Sequence, residues 1–147
     1  MIGRYFTYNE MTATGTRAIN RPNQQQLVNM VRLVALVLDP LRHEAGEIFI
    51  NSGFRSKIVN RNAGGSKNSF HMLGCAADIR HREMQVEELA EMIERLGLPF
   101  DKVIMEHGQN SEWLHIQIAP PTDTNRGELW TAEWSDADQK MVYDKLV

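Results

Sequence analysis

The sequence predicts an α+β protein, a small and mostly antiparallel sheet with helices packed against it. Three observations carry this. Apolar residues recur at steps of three and four from Gln24 onward and again over "MQVEELAEMIERLG", residues 84–97, the spacing of amphipathic helices. Short runs rich in β-branched residues, "EIFINSGF", "CAADI", "DKVIMEH" and "EWLHIQIA", have the length and alternation of strands. Turn-forming residues separate them, among them "NAGGSKNS" and "GQNS".

Residues 1–22 are polar and mixed, and read as an arm with at most a short helix around Tyr8–Thr14. Asn23 is placed to cap the helix that follows. Leu27, Met30, Val31, Val34, Val37, Leu38 and Leu41 mark its inner face. Val28, Leu33, Ala35 and Leu36 extend the apolar surface around it, so heavy burial is expected. Pro40 lacks the N–H that an interior turn needs and should kink or end this helix. "EIFINSGF" (47–54) is a strand that ends in a turn, and residues 55–70 read as a long loop. "CAADI" is a short strand, followed by a helix with Val86, Leu89, Ala90 and Ile93 inward and Gly97 as its stop. Two strands joined by "GQNS" come next, and the double proline at 120–121 should end the sheet. Ser135 and Asp138 have capping-box spacing, which predicts a last helix around 136–146.

A chain of 147 residues fits one domain, here 1–147, with a core of about 24–118 and an extension over 121–147. The net charge of −3 gives no electrostatic footprint for nucleic acid. The single cysteine, Cys75, excludes an intrachain disulfide. No stretch has the continuous apolar run of a signal peptide or a membrane span. Synthesis in the cytoplasm is expected, with release by other means if the protein acts outside.

The stretch "SFHMLGCAADI" holds the chemistry. His71 and Asp78 differ by an odd number of residues, so on one strand they would face opposite ways. They converge only if the chain bends, and Gly74 can provide the bend. Imidazole and carboxylate are both good zinc ligands. A third candidate is His115, on a strand that carries Trp113 and Gln117 on the same face. Glu112 has the wrong parity for that face and is expected in the turn before pairing begins, within reach of a water at the site; Glu106 is the next carboxylate to test. Spacing alone leaves two readings open, a packed turn or a metal site. Cys75 reads as a small buried hydrophobe, and His43, His81 and His107 as surface or satisfied core residues.

Ser69-Phe-His71-Met-Leu-Gly74-Cys-Ala76-Ala-Asp78 resembles the S-x-H-x-x-G-x-A-x-D signature of the zinc D-Ala-D-Ala carboxypeptidase family, which also includes vancomycin-resistance D,D-dipeptidases and phage L-alanyl-D-glutamate endolysins. Glu112-Trp-Leu-His115 resembles its E-x-x-H motif, and Ser52–Ser56, "SGFRS", its S-G-[YF]-R-S segment. Three motifs in order are far more specific than one. The resemblance implies a hedgehog-like fold, a Zn2+ ion on His71, Asp78 and His115, and Glu112 as general base. It implies that Arg55 binds a substrate carbonyl or carboxylate, and that Ser69 lines the substrate cleft. The implied partner is a peptidoglycan stem peptide, and the implied setting is a phage or prophage enzyme reaching the cell wall. Many relatives carry tryptophan directly before the last histidine, whereas here Leu114 stands there with Trp113 one earlier.

The rival is a zinc-retaining binding module or virion structural protein of the same fold. Glu112 is the discriminator and favours the enzyme, since a pure binding module has no need of a base there.

Overall fold

The computed structural model describes residues 1–147 as a six-stranded mixed sheet, order β1-β2-β4-β3-β5-β6, with helices packed against it. The strands are β1 (Ile48–Ser52), β2 (Ala76–His81), β3 (Lys102–His107), β4 (Glu112–Gln117), β5 (Glu128–Ser135) and β6 (Lys140–Lys145). All neighbours pair antiparallel except β3 and β5, which run parallel. The expected α+β architecture is therefore present. No helix is long and apolar enough to cross a membrane.

The arm is tied down. Its helix α1 (Tyr8–Thr12) opens with a capping box between Thr7 and Glu10, and Phe6 and Met11 are buried in the core. Asn20 bridges the arm to the site region, donating to Phe54 O at 2.9 Å and accepting from Ser56 N at 2.7 Å.

The long helix begins as expected, with Asn23 capping α2 (Gln24–Leu33). Pro40 does not end it. The turn ahead of the proline, Val34–Leu38, widens to π geometry, with Asp39 N–H bonded to Val34 O, and α3 (Asp39–Ala45) continues beyond. The wider turn gives the ring room that a regular turn denies it. Met30, Leu33, Val34, Val37, Leu38 and Leu41 are fully buried. The helix is not buried all round, however, since Val28, Val31 and Leu36 are exposed on its outer side.

Helix α5 (Val86–Arg95) presents Val86, Leu89, Ala90 and Ile93 to the core, where they meet Leu114, Ile116 and Ile79 from the sheet. The reverse face of β2, β3 and β4 carries Asp78, Glu106 and His115. Three expectations need correction here. Residues 57–62 form a short helix, α4 (Lys57–Asn62), capped by Ser56, inside what the sequence suggested was continuous loop. The C-terminal segment is a β-hairpin, and the double proline does not end the sheet. Ser135 Oγ does accept from Asp138 N–H at 3.2 Å, but the bond closes the turn between β5 and β6 rather than capping a helix. Val142 and Tyr143 suit a strand, and pairing with β5 overrides the local helix signal.

Candidate metal centre and cleft

His71 sits on a 3-10 turn, Phe70–Leu73, whose start is held by Ser69 Oγ accepting from His71 N–H at 3.2 Å. Side chains of α2 fasten the other end: Gln26 donates to Met72 O at 3.0 Å and buried Asn29 to Leu73 O at 2.9 Å. Gly74 then turns the chain with φ 78°, so that β2 leaves in the direction that brings Asp78 back under His71. A Cβ at Gly74 would collide with the Gln26 carbonyl oxygen. The bend that the spacing required is thus made where glycine alone fits.

Asp78 pairs across the sheet with His115 on β4, and on its other side with Ser52 on β1, next to an irregularity in register. His71 Nε2 lies 3.3 Å from Asp78 Oδ1, and His115 Nδ1 lies 3.0 Å from the same oxygen. The two imidazole rings stand edge to face with centroids 5.1 Å apart. One ligand atom from each residue falls within 4.8 Å of the others, and all three side chains are buried. Tetrahedral ligands at about 2.0–2.1 Å from zinc stand roughly 3.3 Å from one another, so the spacing fits one ion. His71 Nδ1 lies 2.8 Å from Gly53 O. A carbonyl only accepts, so Nδ1 carries the proton and Nε2 is left for a metal. Two nitrogens and one carboxylate oxygen, with room above them, are the donor set of a catalytic zinc site.

Arg55, at the mouth of the turn after β1, donates from NH2 to Asp78 Oδ2 at 3.0 Å and from Nε to Ser52 Oγ at 2.8 Å. Asp78 therefore offers one oxygen to the ligand cluster and the other to a guanidinium. Burial works against its charge, but the flanking histidines outweigh this and hold the carboxyl well below the usual range. His115 is likewise desolvated, and its bond to Asp78 nevertheless raises its pKa.

These residues floor a cleft of about 740 Å³ whose walls include Ser69, Trp113, Trp130 and Tyr143. Glu112 is not among them. It pairs with His107 inside β4 instead of preceding the strand, so parity turns it to the opposite face of the sheet. There its carboxylate meets His107 Nδ1 at 3.2 Å, while Glu87 takes Nε2 at 2.9 Å. The carboxylate that does enter the cleft is Glu106. In the β3–β4 register Glu106 lies opposite Trp113 and Ile104 opposite His115, so all four share a face. Glu106 accepts from Trp113 Nε1 at 2.7 Å and from the Tyr143 hydroxyl at 3.0 Å. Burial, reinforced by the charge of Asp78, raises its pKa despite these two donors. The four-residue turn "GQNS" carries the signal for this placement in the sequence. Closing 107 onto 112 fixes 106 opposite 113.

The remaining histidines have other partners. His81 donates to Ala45 O at 2.8 Å and accepts two backbone N–H groups, and His43 meets the Tyr5 hydroxyl at 2.8 Å. Cys75 is fully buried, and burial pushes its thiol up to about 11, as befits a small hydrophobe.

The family model for peptidase M15 matches residues 4–117, which spans the arm, the turn of His71, and all of β1 to β4. The chain belongs to the peptidase M15 family. It is also 50% identical over 44 residues to a zinc D-Ala-D-Ala carboxypeptidase of Streptomyces albus G, a match that covers 29% of this chain and 17% of that protein. For an M15 chain, a buried His-Asp-His cluster below an open cleft is the expected place for the family's zinc. The β5–β6 hairpin lies beyond the matched region, yet it supplies Trp130 and Tyr143 to the cleft wall.

Proposed function

We propose that this chain is a zinc-dependent peptidase that hydrolyses peptide bonds in peptidoglycan stem peptides. The observation that carries the reading is the convergence, on one sheet face, of His71, Asp78 and His115 with a separate buried carboxylate, Glu106. Ligands alone would serve a binding module. A proton acceptor held beside them, with no part in holding the ion, serves hydrolysis. The resemblance of the motifs to cell-wall peptidases and phage endolysins supports the substrate class and a lytic setting.

When bound by His71, Asp78 and His115, zinc supplies Lewis acidity and makes water nucleophilic near neutral pH. Glu106 takes the proton released as water attacks the peptide carbonyl and passes it to the leaving amine. Each of its oxygens accepts one hydrogen bond and keeps a second acceptor site for this exchange. Its raised pKa moves it toward the working pH, where a base is most effective. Arg55 steadies Asp78, and as a cationic group lining the cleft it would stabilise negative charge developing on the carbonyl oxygen. Ser69 fixes the backbone beneath the substrate.

Two bond specificities are compatible with this chemistry. The Streptomyces relative suggests carboxypeptidase action on D-Ala-D-Ala termini. A second reading, cleavage of an internal bond such as L-Ala–D-Glu, is favoured by Arg55. The two donors of one edge of its guanidinium are engaged by Asp78 and Ser52, which leaves no free fork on that edge to clamp a terminal carboxylate. Incubation of the zinc-loaded protein with purified muropeptides, followed by mass spectrometry, tests both readings. Loss of terminal alanine indicates the first and release of the intact stem the second, while unchanged muropeptides would refute the proposal.

A further inference from the structure

His71 and His115 are oriented by different means. His71 leans on a backbone carbonyl, which cannot be turned round. His115 Nε2 lies 2.8 Å from the side-chain oxygen of Gln117, and an amide can flip. A flipped amide would offer NH2 to Nε2. The ring would then carry its proton on Nδ1, the nitrogen that faces Asp78 and the ligand cluster. Something must forbid the flip if His115 is to serve.

The far side of Gln117 supplies that constraint. Its NH2 donates to Asp101 Oδ2 at 2.8 Å. Asp101 is almost wholly buried and is held by Arg126 through three bonds. Backbone N–H and Nε donate to Oδ1 at 2.9 and 3.0 Å, and NH2 donates to Oδ2 at 2.7 Å. A carboxylate in this company only accepts. Flipping Gln117 would aim its carbonyl oxygen at that carboxylate, two acceptors face to face in a buried site.

Polarity is therefore settled from the outside inward. Arg126 only donates, Asp101 only accepts, Gln117 must turn its NH2 outward and its oxygen inward, and His115 must carry its proton on Nε2. We propose that Arg126, Asp101 and Gln117 are positioning residues, a relay that fixes the His115 tautomer so that Nδ1 is the metal-binding atom. This rests on the zinc reading of the site and extends it beyond the ligands. It also gives the segment after residue 117 a task, since Arg126 lies outside the region matched by the family model.

The test compares the parent with Asp101→Asn, Gln117→Leu and Arg126→Gln. Asparagine at 101 can face Gln117 with either end of its amide, so the polarity is released while the volume is kept. Zinc affinity is measured by competition with a chromophoric chelator, and melting temperature is recorded beside it. In zinc-loaded protein carrying ¹⁵N-histidine, NMR distinguishes a protonated ring nitrogen from a metal-bound one. The parent should show the proton of His115 on Nε2. Asp101→Asn and Gln117→Leu should bind zinc roughly 10- to 100-fold more weakly, the range for loss of a group that orients a ligand. Arg126→Gln, altered only at a half-exposed side chain, should weaken it in the same direction and guards against a folding defect in the buried variants. Unchanged affinity in all three variants, or a proton on Nδ1 of His115 in the parent, would overturn the relay. No zinc uptake by the parent would overturn the metal reading and the relay with it.

Discussion

Replacing Glu106 by glutamine removes a proton acceptor and changes the shape of the site very little. The two groups that hold the carboxylate, Trp113 Nε1 at 2.7 Å and the Tyr143 hydroxyl at 3.0 Å, can both be kept. The amide oxygen still accepts from the indole, and the phenol can rotate to accept from the amide NH2. Each bond passes from charged to neutral, which weakens it by about 1 kcal/mol, but a buried charge is relieved at the same time. Folding should be close to that of the parent, and so should zinc content, since no ligand is touched. General-base catalysis is worth about 10²–10⁴-fold, which is roughly 3–5 kcal/mol of barrier. Muropeptide turnover by Glu106→Gln should fall by that much. Glu112→Gln is the matched control. Its carboxylate lies on the other face of the sheet in a partly exposed pair with His107, worth at most about 1 kcal/mol, so turnover should barely change. Turnover is measured for both variants alongside zinc stoichiometry. If Glu112→Gln is the inactive one and Glu106→Gln works normally, the sheet register has been misread and the proton goes elsewhere.

In the metal-free protein the Glu106 carboxyl, followed by NMR, should titrate above the ordinary glutamate range, because burial and Asp78 raise its pKa. In Tyr143→Phe the carboxylate loses a donor that stabilises its charged form, so this titration should move to still higher pH; a downward move would contradict the assignment. Gly74→Ala should cost at least about 1–2 kcal/mol from the left-handed backbone alone, with more from the collision with Gln26, and it should reduce zinc binding as His71 shifts. Calorimetry with metal analysis checks both effects. His115→Ala should lose zinc and activity together, while His43→Ala, whose ring meets only Tyr5, should keep both.

The elements legible in the sequence were those whose pattern and packing agree. The helix at Val86 buries the residues that its periodicity selects, and the strands at Ala76, Lys102 and Glu112 are short apolar-rich runs buried on both faces. The bend at Gly74 could be inferred because an odd spacing demanded it. The misreadings share a different cause. At Lys57–Asn62 and at Ser135, a local signal was read without the neighbour that decides its outcome. Ser56 caps a helix inside a loop-like stretch, and β5 recruits the capping pair of Ser135 and Asp138 into a hairpin turn. Glu112 belongs to the same class. Its motif spacing to His115 is right, but side-chain parity is set by where strand pairing begins, and β4 pairs from Glu112 itself.

The hairpin also changes what counts as the site. Because β3 lies between β4 and β5, the chain cannot return by a tight turn, and residues 118–127 must cross the end of the sheet to start β5 beside Lys102. That crossing takes Arg126 past the buried Asp101 carboxylate. It also covers the edge that β3 would otherwise expose, and it carries β6 far enough round for Tyr143 to reach Glu106. One topological choice thus delivers a group behind each half of the proposed site. Arg126 reaches His115 through Asp101 and Gln117, and Tyr143 reaches Glu106 directly. The His-Asp-His cluster is built on the stretch that the M15 family model matches, while groups packed behind it come in part from the segment that follows.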